Sequence, residues 1–152
     1  MLMLSGAINV HAQDKGEWTM PLGPNAAVRS LFPTIPLANT VDFYASAFTN
    51  DTLTNYSRCL LQVDLNDLDP DWIIEKASLN LYGNPSTNRP ANQGFNESWL
   101  ERIVEPWNNA TVTWDSQPET TPTNRVAIPQ SWDTAANLIG LDVKALVEDM
   151  QD

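Results

Sequence analysis

The chain holds one histidine and one cysteine in 152 residues, and only 8 basic residues against 19 acidic ones. Each scarcity removes a class of function. With Cys59 alone there can be no intrachain disulfide. With His11 alone, near the N-terminus, Ser/His/Asp and Cys/His nucleophile systems and histidine-based metal sites find no partners in the rest of the chain. The formal charge of −11 repels polyanions, which sets aside nucleic acid and anionic membrane surfaces as partners and ranks neutral glycans above acidic ones. No stretch approaches the run of about 20 apolar residues that a bilayer-spanning helix needs, so membrane insertion is not expected. Nothing in the composition points to a cofactor. What remains is a length suited to one domain, which can bury roughly 70% of its unfolded surface without metal or disulfide staples.

The N-terminal residues 1–12 are apolar, and Val10-His11-Ala12 before Gln13 fits the small-residue pattern of a cleavage site, so this segment reads as a secretory signal clipped of its basic start. Residues 13–25 contain Gly16, Pro21, Gly23 and Pro24 and read as a leader without regular structure. The folded domain is then expected over 26–152, secreted or at the cell surface.

Within it, short alternating segments dominate. A short strand is expected over 26–31. Val41, Phe43, Ala45 and Ala47 alternate with polar neighbours, as do Cys59, Leu61, Val63 and Leu65, and again Ala77, Leu79 and Leu81. Cys59 reads as a small buried apolar group in that pattern. Residues 49–57 and 119–124 read as polar links, 83–94 and 129–137 as loops, and 125–128 as a short strand. Ser98 to Val104 carries apolar residues on both parities and reads as a strand covered on both faces. Val143, Leu146, Val147 and Met150 recur at helical spacing behind Asp142, a capping residue, which predicts one short helix. Strands with one apolar face need a second layer, so the fold class is all-β, a jelly-roll-like sandwich with one short C-terminal helix.

The organising stretch is 101–118, with Trp107 and Trp114, Pro106 and Pro118, and a β-branched run at Thr111, Val112 and Thr113. It reads as strand, corner, strand, because Pro106 removes a ladder donor, Asn108 and Asn109 suit a turn, and Thr111 to Thr113 suit an extended backbone. Both tryptophans are expected as apolar plugs pinning the corner to the core.

The segment V-E-P-W-N-N-A-T-V-T-W-D-S-Q-P over 104–118 resembles the T-x-P-W-x-x-x-T-V-T-W-x-x-Q-P run of DNRLRE-type domains, carbohydrate-binding module family 96. Three further segments are similar to that family in order and spacing: R-C-L-L-Q-V-D-L over 58–65, K-A-S-L-N-L-Y over 76–82, and L-D-V-K-A-L-V-E-D over 141–149. The chain departs from it at 35–38, where the family usually has an N-Y-G turn. The resemblance implies a jelly-roll sandwich in which Pro106, Trp107, Trp114, Arg58 and Asp64 belong to structural motifs. It also implies closing strands beyond the helix, further domains on a longer chain, and polysaccharide or cell-surface glycan as the partner.

Glycan recognition uses flat aromatic faces and polar side chains. With Trp107 and Trp114 assigned to structure, Trp132, Trp99 and Trp72 are the candidate binding residues, Trp132 first because core packing accounts for it least. Catalysis is not expected. Glu101 and Glu105 could share a strand face, but four residues of strand span roughly 13 Å, beyond the about 5–9.5 Å that separates a glycosidase's carboxyls. The turn Asp67-Leu68-Asp69-Pro70-Asp71 copies the opening of a calcium loop, but Trp72 replaces its glycine and Ser78 its closing glutamate, so it reads as a solvated turn and no metal is expected. Asn50, Asn55, Asn96 and Asn109 head glycosylation triplets, without weight unless the host glycosylates. The competing function is a structural or adhesive sandwich that binds no sugar.

Overall fold

A computed structural model of the chain describes residues 6–40, 45–50, 52–83, 98–130 and 137–151. Among these residues the fold is all-β and sandwich-like, a curled antiparallel sheet with one short helix near the C-terminus. The large sheet runs in the order β4 (Ser46–Asn50), β5 (Leu53–Val63), β2 (Gly16–Arg29), β1 (Gly6–Ala12), β6 (Ile74–Leu81) and β9 (Leu138–Asp142), with the short β3 (Leu37–Ala38) also on β2. A separate hairpin, β7 (Ser98–Ile103) with β8 (Thr120–Ile128), and the helix α1 (Lys144–Gln151) complete the described elements.

The N-terminus departs from its sequence reading. Residues read as a signal segment form β1, which lies between β2 and β6 and buries Ile8, Val10 and Ala12 in the main core. The expected leader is most of β2, and the domain begins well before Ala26. The features that suggested processing, a short apolar run with small residues, equally suit an interior strand. Gly16 sits at the hairpin end with φ of 110°, and Gly23 and Pro24 fall at a register shift between Leu22 and Asn25, where a strand tolerates them. Beyond that shift, Ala26, Ala27 and Val28 are all fully buried, because the strand is covered on both faces.

Two clusters hold the layers together. The larger joins β1, β2 and β6 to α1 through residues such as Val10, Ile74, Leu79, Val143 and Val147. The smaller gathers Ala26, Val28, Leu60 and Val112, with Ile103, Trp107 and Trp114 packed on them. The alternation expected for Ala77, Leu79 and Leu81 holds, and all three are buried. In β5 the parity is different: Leu60, expected opposite the apolar face, is buried at 6%, while Cys59, Leu61 and Val63 are half-buried. Both faces of this strand are covered, so a one-sided pattern does not describe it. Of the strand expected around Val41 to Ala47, residues 41–44 lie outside the described residues, and Ala45 and Ala47 are exposed.

The segment 49–57, expected as a link, is the β4–β5 hairpin, with Thr49 opposite Thr54. Its Asn55 is buried because the side-chain Oδ1 accepts from Ser30 Oγ and the Leu31 N–H, each at 3.2 Å, so this triplet is not a surface site. The segment 119–124 is likewise strand rather than link, β8 pairing Thr120 with Ile103 and Thr121 with Arg102 across a register shift. Thr111 to Thr113, expected to restart a strand, instead lie in a turn-rich stretch without strand pairing. The expected helix is present as α1: Asp142 Oδ1 accepts the Lys144 N–H at 3.0 Å, and Leu146 and Val147 are buried.

Candidate functional site

A cleft of about 650 Å³ lies between the large sheet, β7 and α1. Its lining includes half-buried Leu61 and Val63 of β5 and reaches buried Leu79 of β6 and Leu146 of α1. It also includes polar and aromatic residues, Arg58, Trp99, Glu105, Gln117 and Thr120, and the buried Ser57. Such a volume falls within the about 300–1,000 Å³ typical of small-molecule sites.

β7 and β8 set the wall that carries Trp99. This indole is 45% exposed, and the Arg125 guanidinium carbon lies 3.9 Å from its ring centroid. Arg125 Nη1 is 3.6 Å from Glu101 Oε1, and Glu101 Oε2 accepts from the Thr120 hydroxyl at 2.8 Å. A chain of contacts therefore holds one exposed ring in place. The hairpin is in turn fastened to α1: Arg102 Nη1 donates to the Asp149 carbonyl at 3.0 Å, and Asn124 Nδ2 donates to the Asp149 carboxylate.

The corner forms a second aromatic group. Trp107 and Trp114 are half-buried against the smaller core cluster, and Pro118 is buried while Pro106 is exposed. Tyr56, 48% exposed, stacks on Trp114 with ring centroids 6.4 Å apart and planes 18° from parallel. Arg58 lies over the same indole and donates to Gln117 Oε1 at 2.8 Å, and Gln117 Nε2 donates to the Trp114 carbonyl at 2.8 Å. Arg58 thus links β5 to the corner. Asp64 acts locally, its Oδ1 accepting the Asn66 N–H at 3.0 Å as the chain leaves β5.

Of the candidate tryptophans, Trp99 and Trp72 do not converge. Trp99 lines the cleft. Trp72 does not; it is half-buried on the main core, tilted 40° against Trp18 with centroids 4.6 Å apart, and Lys15 Nζ lies 5.8 Å from its ring centroid. Trp132 lies outside the described residues. Arg125, Tyr56 and Gln117 carried no site signal in the sequence, because their positions depend on the β7–β8 pairing and on the folding of the corner over β5.

The two carboxylates weighed for catalysis both line the cleft, and both are engaged: Glu101 as above, and Glu105 through Oε2, which accepts the Glu119 N–H at 3.0 Å. His11 remains part of the sheet. It does not line the cleft, and its Nε2 is 3.0 Å from Glu75 Oε2 and its Nδ1 4.0 Å from Glu17 Oε1. In the acidic turn, Asp69 Oδ1 accepts the Asp71 N–H at 2.9 Å, and the Asp69 carbonyl accepts from Trp72 N–H and Gln151 Nε2. Among the described residues no group of three or more His, Cys, Asp or Glu side chains is placed to hold a metal ion. Comparison with protein-family models, with curated proteins and with solved structures gives no match to this chain.

Proposed function

We propose that this sandwich is a non-catalytic carbohydrate-binding domain of a secreted or cell-surface protein, with Trp99 as the ring on which a sugar packs. The observation that carries the reading is the exposed indole on the rim of the cleft, braced by Arg125. A large exposed aromatic gains nothing for the fold from its open surface, and sugar rings present C–H faces that suit it. In the same cleft Arg58 keeps guanidinium donors beyond the one given to Gln117, and the Thr120 oxygen can still accept, so both can meet hydroxyls. The likeness of 104–118 to carbohydrate-binding module family 96 supplies the ligand class, and the charge of −11 places neutral glycans first. Secretion rests on that likeness alone, since the residues read as a signal segment build β1.

Binding without turnover is proposed because Glu101 and Glu105 are held in wall contacts. The second reading, a structural or adhesive domain, is favoured by Trp18, Trp72, Trp107 and Trp114, all packed against the core clusters. Retention on insoluble and immobilised polysaccharides separates the two. Wild type should be retained on at least one neutral glycan without releasing reducing ends. Trp99→Ala should lose retention while costing no more stability than the about 0.5–1 kcal/mol of an exposed cation–π contact, and Trp132→Ala measures the other tryptophan. No retention on any neutral or acidic glycan leaves the structural reading standing.

A further inference from the structure

Building on the glycan reading, we propose that Tyr56 is a second sugar-stacking ring, so that the ligand is a linear neutral glycan bound along its length from Trp99 to the corner rather than by one end. Two neighbours place Tyr56 at the cleft. It is directly opposite Ala47 in the β4–β5 ladder, and it is two positions from Arg58 on β5. Opposed residues, and residues two apart on a strand, point to the same face of a sheet. Ala47 and Arg58 both line the cleft, and the Tyr56 ring shares the Trp114 surface with Arg58, so it stands at the corner end of the cleft. The ring is 48% exposed, while its main chain is fixed: the Tyr56 N–H donates to Ser30 Oγ at 2.8 Å, and the Tyr56 carbonyl accepts the Ser30 N–H at 2.9 Å. Across the ladder Ala47 is exposed and carries only a methyl group, so no bulky side chain shields the ring from that side.

The two exposed rings stand well apart. Trp99 and Ile103 are four residues apart on β7, about 13 Å of strand, and Ile103 packs on the same small core cluster as Trp114. Trp99 therefore marks one end of the β7 wall and Tyr56 lies beyond the other, a span longer than one sugar ring. Between them lie Thr120, which is paired with Ile103, and Arg58, both lining the cleft with hydrogen-bonding capacity to spare. A run of linked sugars matches this order, because its ring faces can stack on the aromatics at each end while its hydroxyls meet the polar side chains between. A single terminal sugar uses one ring only.

The test is calorimetric titration of the full chain with cello-, laminari-, malto- and manno-oligosaccharides, each from the disaccharide to the hexasaccharide. In a series that binds, affinity should rise about tenfold with length, the gain expected of one more stacked ring. Tyr56→Leu keeps an apolar group on Trp114 but removes the flat face, and should abolish that rise while leaving disaccharide affinity unchanged. Tyr56→Phe should keep the rise. Ala47→Ile sets a bulkier chain beside the ring and should reduce the rise with Tyr56 and Trp114 both in place. Trp99→Ala should weaken every length by a similar factor. Circular dichroism checks that each variant is folded before titration. Hexasaccharides that bind no tighter than disaccharides, or a Tyr56→Leu protein that keeps the full rise, overturn the inference and leave the glycan reading intact. No binding in any of the four series also overturns it, while the glycan reading stands or falls on retention by polysaccharides.

Discussion

Arg58 of β5 lies over Trp114 of the corner, its guanidinium carbon 5.1 Å from the ring centroid, although the two are 56 positions apart in the chain. The contact fastens the turn-rich corner to the large sheet from the solvent side, while Val112 and Trp107 fasten it from the core side.

Arg58→Ala should therefore lower stability by about 1 kcal/mol, the sum expected for an exposed cation–π contact and one side-chain hydrogen bond. Arg58→Lys should recover only part of it, since an ammonium cannot lie flat on an indole and still reach Gln117. Urea unfolding midpoints measure both, and a wild-type midpoint for Arg58→Ala would show that the corner is held by its core contacts alone.

Trp107→Ala and Trp114→Ala should each cost about 3 kcal/mol, the lower end of the range for tryptophan truncation, because each ring is half-buried rather than enclosed. Neither should lower glycan retention once folded protein is compared at equal concentration. Near-wild-type melting with lost retention would move the residue from the scaffold to the binding site.

A chain shortened to begin at Gln13 should fail to unfold cooperatively, because the cut removes the strand between β2 and β6 together with Ile8, Val10 and Ala12. Circular dichroism during heating gives the outcome. A sharp transition equal to that of the full chain would mean that the signal-segment reading of 1–12 is the correct one.

Asp142→Ala should cost about 1 kcal/mol through loss of the bond to the Lys144 N–H at the start of α1. Asp142→Asn should recover most of it, since an amide oxygen accepts in the same place. Thermal melts of the two variants check this, and equal losses would assign the effect to charge rather than to capping.

What could be read beforehand follows the strength of the local pattern. From Ala77 to Leu81 β6 alternates, and α1 repeats at helical spacing behind a capping residue, so both were legible. β1 was not, since a short apolar run with small residues serves equally for export and for an interior strand. β2 was hidden by glycine and proline, which mark loops in general but here sit at a hairpin end and a register shift. The first part of β8 was hidden by its threonines and Pro122, while its second part, 125–128, reads as a strand in the sequence. At the cleft, Trp99 stands behind Trp132 as a sequence candidate, but its strand reads as covered on both faces, whereas the ring is 45% exposed and the Arg125 contact depends on the pairing of β7 with β8, which no local pattern announces.

The place of β1 also bears on how the chain is made. It is synthesised early and can close a hairpin with β2 at once, but its other edge pairs with β6, Gly6 meeting Leu81. At about 5–20 residues per second, translation leaves that edge without its neighbour for several seconds. During that interval the hairpin offers unpaired backbone groups beside Ile8 and Val10, the kind of surface on which nascent chains stick to one another. The yield of native protein should then depend on how fast the ribosome delivers residues 74–81, and synonymous codons that slow this span should raise the fraction that aggregates.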